Sequence, residues 1–363
     1  MRHSSFPNDF YTIAWICTSP DSLAVSMALL DEEHGLPQPR ATPTSDPNTY
    51  HLGRVSELNI AMACLPSGQT GTGSTTGVAE NMRRSFKRIQ FAILVGDGGG
   101  CPYVNPNRDG GIKDVRLGDV VVSYPTRTYT GVVQYDYGRM LSGGEIERKD
   151  WFSPPPRKVL SAVDMLRAYH SRPVNAVNEM VGMLEGLGRE YAYPGEGLDR
   201  LYRTDYEHVA GVETCAVHDE GALIERVSRP TPSQPRVHYG TIASGNMVIR
   251  SAVERDRINS RFNDTVLCID MEAAGFMNCF PGLVIRGISN YCDSHKDDQW
   301  KRRANAAAAA YAKELLLMID PPEEEVVSPS STRVLKSGTL YLEESPLEMW
   351  NAVGQPLMQS RNK

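Results

Sequence analysis

Asp270-Met271-Glu272 closes one apolar run (VLCI), and Ser289-Asn290-Tyr291 closes another (GLVIRGI). A third run (FAILV) leads directly into Gly96-Asp97-Gly98-Gly99-Gly100. In an open α/β sheet, ligands bind at the carboxyl ends of strands, so these polar ends are where chemistry is expected. A carboxylate at Glu272 can grip paired hydroxyls and face a positive charge developing on a ring. Asn290 can donate and accept hydrogen bonds, but it has no proton to hand to a leaving group. Asp97 is a candidate catalytic acid whose charge would repel phosphate. The backbone N–H groups of Gly96, Gly98 and Gly99 could still face an anion. Plainer uses compete: Glu272 as an acidic first-turn residue of a helix, Asn290 as a capping or loop amide, and Asp97 as a carboxylate bonding its own turn.

Such ends need strands behind them. Residues 11–18 (YTIAWICT), 58–65, 91–95, 237–242 and the two runs around 266–270 and 282–288 read as strands, with another after the turn in RLGDVVVS. Residues 22–33 read as a helix with Leu23, Met27 and Leu30 on one face. Residues 77–86, most of 151–190 and the Ala-rich 302–318 also read as helices. Ser19-Pro20-Asp21 reads as a break, 35–50 as a loop or lid, 67–76 as a flexible polar turn, 96–100 as a glycine turn and 216–235 as an irregular insertion. The alternation predicts an α/β three-layer sandwich with a central mixed, partly parallel sheet, in a single domain over 1–320. A Ser/Pro/charged tail over 321–363 follows, in which Leu340-Tyr341-Leu342 could form a small docked element.

Composition excludes several classes. The 363 residues are 40% hydrophobic, enough for a full core, and carry a net charge of −6 without a Lys/Arg block, which argues against nucleic acid as a partner. The seven cysteines are dispersed and form no C-x-x-C pair, which suggests reduced, buried thiols in an intracellular, cytoplasmic protein. No apolar run is long enough for a membrane span or a secretory signal, and no His/Cys/carboxylate cluster has metal-ligand spacing. His295 after Asp293-Ser294 invites a triad reading, but a lone histidine in such a turn more often satisfies backbone groups.

Six segments recur in a telling order: residues 16–22, 95–100, RLGDVVVS, YGTIASGN, DMEAAG and RGISNYCDSHK. The series, over roughly residues 10–317, resembles the nucleoside phosphorylase and nucleosidase family, in particular its fungal branch. That resemblance implies that Glu272 binds the ribose 2′- and 3′-hydroxyls, that Met271 packs on the sugar and that Asn290 contacts the base. It places Ser244, Asn246 and Met247 along the base pocket, with Tyr291 as an aromatic wall, and Ser22 on the nucleophile side. It implies no cofactor beyond phosphate as an optional co-substrate, a small-molecule substrate and a homo-oligomer. Four positions depart from the family's pattern. Asn290 stands where aspartate is usual, Ser22 where nucleosidases have glutamate, Leu94 where phosphorylases have arginine, and Asp97 where relatives have Ser, Thr or Ile.

The first functional reading is cleavage of a purine nucleoside's N-glycosidic bond, by phosphate or water. The second is a repurposed pocket catalysing a rearrangement or cyclisation, such as a pericyclic step in fungal secondary metabolism, where shape and desolvation matter more than proton transfer. The third is a catalytically silent nucleoside sensor.

Overall fold

The computed structural model describes residues 3–38, 41–102, 113–142, 146–149, 151–172, 179–208 and 220–321. Its elements in chain order are β1 (Ile13–Cys17), α1 (Pro20–Ala28), β2 (Glu32–Gly35), β3 (Tyr50–Val55), β4 (Leu58–Cys64), α2 (Thr72–Ser85), β5 (Phe91–Gly100), β6 (Val120–Ser123), β7 (Val132–Gln134), β8 (Gly138–Met140) and β9 (Ile146–Arg148). There follow α3 (Arg157–His170), α4 (Glu179–Gly186), β10 (Val237–Ser244), α5 (Ala252–Arg261), β11 (Val266–Asp270), α6 (Ala273–Met277), β12 (Gly282–Asn290) and α7 (Lys301–Leu317).

Side-chain alternation makes the three layers. Ile13, Trp15 and Cys17 of β1, with Phe91, Ile93 and Val95 of β5, join a core with α1, α3, α4 and α7. The intervening Ala14, Ile16, Ala92 and Leu94 join a second core with α2 and α6. Both faces are covered, so these strands are continuous apolar runs. Each fully buried aliphatic side chain contributes about 1.5–3 kcal/mol. The sheet runs β11-β10-β6-β12-β5-β1-β4-β3-β2, with β7 added on β10. It is mixed: β5 is parallel to β1 and β12, whereas β12 is antiparallel to β6 and β3 to β4.

The glycine run does not turn. Residues 96–100 extend β5, which pairs with β12 as far as Gly99 and then antiparallel to β11 at Gly99 and Gly100. The reason is close approach: a Cβ at Gly99 would lie 2.0 Å from Cys292 Sγ and 3.0 Å from Asn290 Oδ1. Pairing of β11 with both β10 and β5 closes that half of the sheet on itself. It brings the carboxyl ends of β11, β12 and β5 together.

Other expectations also shift. Ser19-Pro20 begins α1 rather than breaking the chain, because Ser19 Oγ accepts the Ser22 N–H and Pro20 sits in the first turn. That helix ends at Ala28, and Glu32–Gly35 is an edge strand, β2, paired with β3. β3 begins at Tyr50, where residues 35–50 were expected to be loop throughout. α2 begins at Thr72, within the segment expected to be a flexible turn. The expected tail after Pro321, including Leu340, and Cys215 lie outside the described residues.

The alanines of α7 let it ride directly on the sheet. Ala304 and residues 306–310 are fully buried, and a Cβ at Gly287 of β12 would stand 1.8 Å from the Ala304 carbonyl oxygen. Gly287→Ala should therefore cost about 3 kcal/mol or more in denaturant unfolding. Gly77→Ala, inside α2 with nothing near its Cβ, should instead add about 0.5–1 kcal/mol. Matching midpoints for the two variants would refute this account of the α7 contact.

Candidate functional site

Four strand ends form one cleft of about 260 Å³. Thr18 and Ser19 follow β1, Asp97, Gly98 and Gly99 belong to β5, Met271 and Glu272 follow β11, and Asn290 and Cys292 come from the end of β12. Thr70 ahead of α2, residues 247–249 after β10, and Lys296 and Lys301 complete the lining.

One cation organises the acids. Arg286, fully enclosed on β12, donates from Nε to Asp270 Oδ2 at 2.8 Å and from Nη2 to Asp270 and to Glu272 Oε2 at 3.3 Å. Glu272 Oε1 also accepts the Gly71 N–H at 3.4 Å. Burial pushes the Glu272 carboxyl up to about 7; Arg286 pulls it down and Asp270 adds to the rise. Arg286 Nη1 has no hydrogen-bond partner among the described residues. It lies 2.8 Å from the point a Cβ on Gly96 would occupy, beside Thr18 Oγ1 at 1.9 Å from the same point.

A second chain of hydrogen bonds runs along the β12 end. Asn290 Nδ2 donates to Ser289 Oγ at 2.9 Å, and Ser289 Oγ donates to Asp97 Oδ2 at 2.7 Å. Asn305 of α7 donates to the other Asp97 oxygen at 3.4 Å. Asn290 Oδ1 accepts the Cys292 N–H at 3.0 Å, a tight local turn that puts Cys292 at φ 54. The amide thus fills its capping role and still lines the cleft with one N–H to spare.

The sequence profile of the Phosphorylase superfamily matches residues 110–319. The chain belongs to that superfamily. A nucleotide-binding leucine-rich repeat (NLR)-like protein of Hyaloscypha variabilis is 36% identical over 309 residues, which span 84% of this chain and 29% of that protein. Among solved structures, Helicobacter pylori futalosine hydrolase superposes with a TM-score of 0.53 at 14% identity, covering 85% of this chain and 99% of that one. The Neisseria meningitidis 5′-methylthioadenosine/S-adenosylhomocysteine nucleosidase, in complex with methylthio-immucillin-A, gives 0.53 at 16% identity over 84% of this chain and 98% of that one. The H. pylori nucleosidase, solved with an aspartate changed to asparagine and 5′-methylthioadenosine in its active site, gives 0.54 at 15% identity over 85% and 99%. At such identity these likenesses concern the fold.

Within this cleft the structure gathers Asp97, Gly98, Gly99, Met247, Met271, Glu272 and Asn290. It leaves five expected residues outside. Ser22 is buried in α1, where its hydroxyl donates to the Val95 carbonyl at 3.0 Å; Thr18 and Ser19 take the place expected for it. Gly96 is packed under Thr18. Ser244 Oγ is spent on the Ala274 N–H at 3.0 Å. Asn246 caps α2, accepting from the Thr72 N–H at 3.0 Å and hydroxyl at 2.9 Å. Tyr291 turns away: its hydroxyl accepts from Arg226 at 2.8 Å and donates to Asp199, and it lines a neighbouring cavity of about 90 Å³ that shares Asn290 and Lys296 with the cleft. His295 lines that second cavity, stacked on Tyr202 at 3.9 Å between ring centroids.

Arg286, Asp270, Lys296 and Lys301 were not singled out from the sequence. Arg286 did carry a signal, since a charge inside an apolar strand is buried only with partners. No cluster of three metal-ligating side chains occurs among the described residues, and none of their helices is long and apolar enough to cross a membrane.

Glu272 carries a pH signature. Its folded-state value lies above the unfolded one, so the stability it contributes is present below the unfolded value and is lost as pH rises through about 7. Glu272→Gln should therefore gain on the wild type in thermal unfolding between about pH 5 and about pH 8. Parallel curves across that range would contradict the buried, proton-holding carboxyl.

Proposed function

We propose that the chain cleaves the N-glycosidic bond of a purine nucleoside. The observation that carries this reading is Glu272, a carboxylate that lines an open cleft and is held by Arg286 and the Gly71 N–H. Ionised, it accepts hydrogen bonds from the ribose 2′- and 3′-hydroxyls and faces the positive charge that grows on the sugar as the bond to the base stretches. Met271 lies beside it for contact with the ribose, and Val248 and Ile249 offer an apolar wall to the base.

In this reading the electron pair of the C1′–N bond leaves with the base. The spare N–H of Asn290 supports the departing ring but supplies no proton, so the base takes its proton from solvent, and a 6-oxopurine leaves more easily than adenine. The nucleophile's oxygen bonds to C1′ from the side of Asp97, Thr18 and Ser19. Asp97, hydrogen-bonded by Ser289 and Asn305, is placed to take the proton of a water molecule; its charge disfavours free phosphate there. The charged lining, with Asp97, Asp270, Glu272, Lys296 and Lys301, supports this reading over an apolar pocket turned to pericyclic chemistry.

A second reading, a silent nucleoside sensor, draws on the likeness to the NLR-like protein. Base release followed chromatographically separates the two. The panel is adenosine, inosine, guanosine, uridine and methylthioadenosine, with and without phosphate. The cleavage reading expects turnover of at least one purine nucleoside, a loss of about 100-fold or more in Glu272→Ala, and a gain on adenosine-type substrates in Asn290→Asp. Folded protein that releases no base from any of them would remove it.

A further inference from the structure

Tyr291, buried next to Asn290, is held at both its hydroxyl and its carbonyl. A phenolic hydroxyl has one proton and two lone pairs. That of Tyr291 donates to Asp199, and accepts from Arg226 Nη1 at 2.8 Å and from the Leu117 N–H at 3.2 Å. Its carbonyl accepts from Arg255 Nη1 of α5 at 3.0 Å. The Arg226 guanidinium also stands 5.5 Å from the centre of the ring. Asp199 and Arg226 both belong to the connection between α4 and β10, so that connection grips the end of β12 through one side chain.

The two charged anchors do not need the tyrosine for their own compensation. Arg226 Nη2 lies 3.1 Å from Asp199 Oδ2 and donates to the Asp199 carbonyl at 2.8 Å, so each already answers the other. A phenylalanine would fill the same space without burying a hydroxyl beside them. What the hydroxyl adds is a fixed place for residue 291. Asn290, by contrast, bonds to its immediate neighbours: its amide donates to Ser289 Oγ at 2.9 Å and accepts the Cys292 N–H at 3.0 Å. Tyr291 is the middle residue of that turn. Cys292 closes it at φ 54, a conformation a non-glycine residue keeps only where its surroundings fix it.

We propose that Tyr291 is a positioning residue for Asn290: anchored by Arg226, Asp199 and Leu117, it holds the Asn290–Cys292 turn so that the spare N–H of Asn290 meets the acceptor nitrogen N7 of a purine. This inference rests on the cleavage reading for its purine, and on the hydrogen bonds of Tyr291 alone for the anchoring. It assigns the connection between α4 and β10 a part in base recognition, although neither Asp199 nor Arg226 lines the cleft.

Calorimetric titration of the full chain with hypoxanthine and with 7-deazahypoxanthine, which have no glycosidic bond to cleave, reads the contact apart from turnover. The wild type should prefer hypoxanthine by about fivefold. Tyr291→Phe should bring that preference close to one, as should Asn290→Ala, and the double variant should lose no more than either. Arg226→Lys keeps a charge beside Asp199 but not the fork that spans both partners, so it should give an intermediate preference. Circular dichroism confirms that each variant is folded. A Tyr291 that only supports the fold predicts a different pattern: Tyr291→Phe weakens both ligands alike and the preference survives, which would overturn the proposal. A crystal structure of Tyr291→Phe reads the anchoring without any ligand. The Asn290–Cys292 turn should be displaced, and a turn left in place would also overturn the proposal. A wild type that does not discriminate the two bases, beside a displaced turn in the variant, would overturn the base contact and leave the anchoring standing. Absence of base release from nucleosides, with the preference present, would end the cleavage reading and leave this one intact.

Discussion

The site exists because β5 can pass between β11 and β12 without side chains. At Gly98 a Cβ would meet Cys268 Sγ at 2.6 Å, and at Gly99 it would meet Cys292 Sγ at 2.0 Å. With glycine in place, β5 pairs with both neighbours and the sheet closes on that side. Closure aligns the ends of β11 and β12, so Glu272, Asn290 and Asp97 line one cleft. Any side chain at Gly99 would part those strands, and the residues would separate before any of them was itself altered.

Closure also sets the electrostatics. It encloses Arg286 completely, and an enclosed guanidinium is tolerable only with carboxylates against it. Asp270 answers most of that charge, and Glu272 takes the weaker share at 3.3 Å. Burial raises the Glu272 carboxyl to about 7 against that weaker pull, and Arg286 Nη1 has no hydrogen-bond partner among the described residues. Asp270 and Glu272 are therefore linked through one residue that touches no solvent.

Much of this was legible in the sequence, and the misreadings have physical causes. The strands around Glu272 and Asn290 could be read because apolar runs end abruptly in polar residues. The glycines at 96–100 were read as a turn because glycine composition is the same for a turn and for a strand under close approach; only the neighbours at Cys268 and Cys292 distinguish them. Ser19-Pro20 was read as a break although Ser before Pro is a helix-start signal, and that displaced Ser22 from the nucleophile side in favour of Thr18 and Ser19. Asn246 and Ser244 have the residue types of a binding loop but are consumed by the starts of α2 and α6. Lys296 and Lys301 carry no local pattern at all; their place in the cleft follows from the turn after β12 and the docking of α7.

The central claim is that Glu272 grips the ribose hydroxyls as positive charge develops. A cycle that pairs substrate and enzyme changes tests it most directly: kcat/KM for a ribonucleoside and its 2′-deoxy analogue, each with wild type and Glu272→Ala. If the carboxylate acts through the hydroxyl, removing either partner should cost about 100-fold and removing both should cost little more. Losses that multiply independently would contradict the claim and place Glu272 among the supports of the fold.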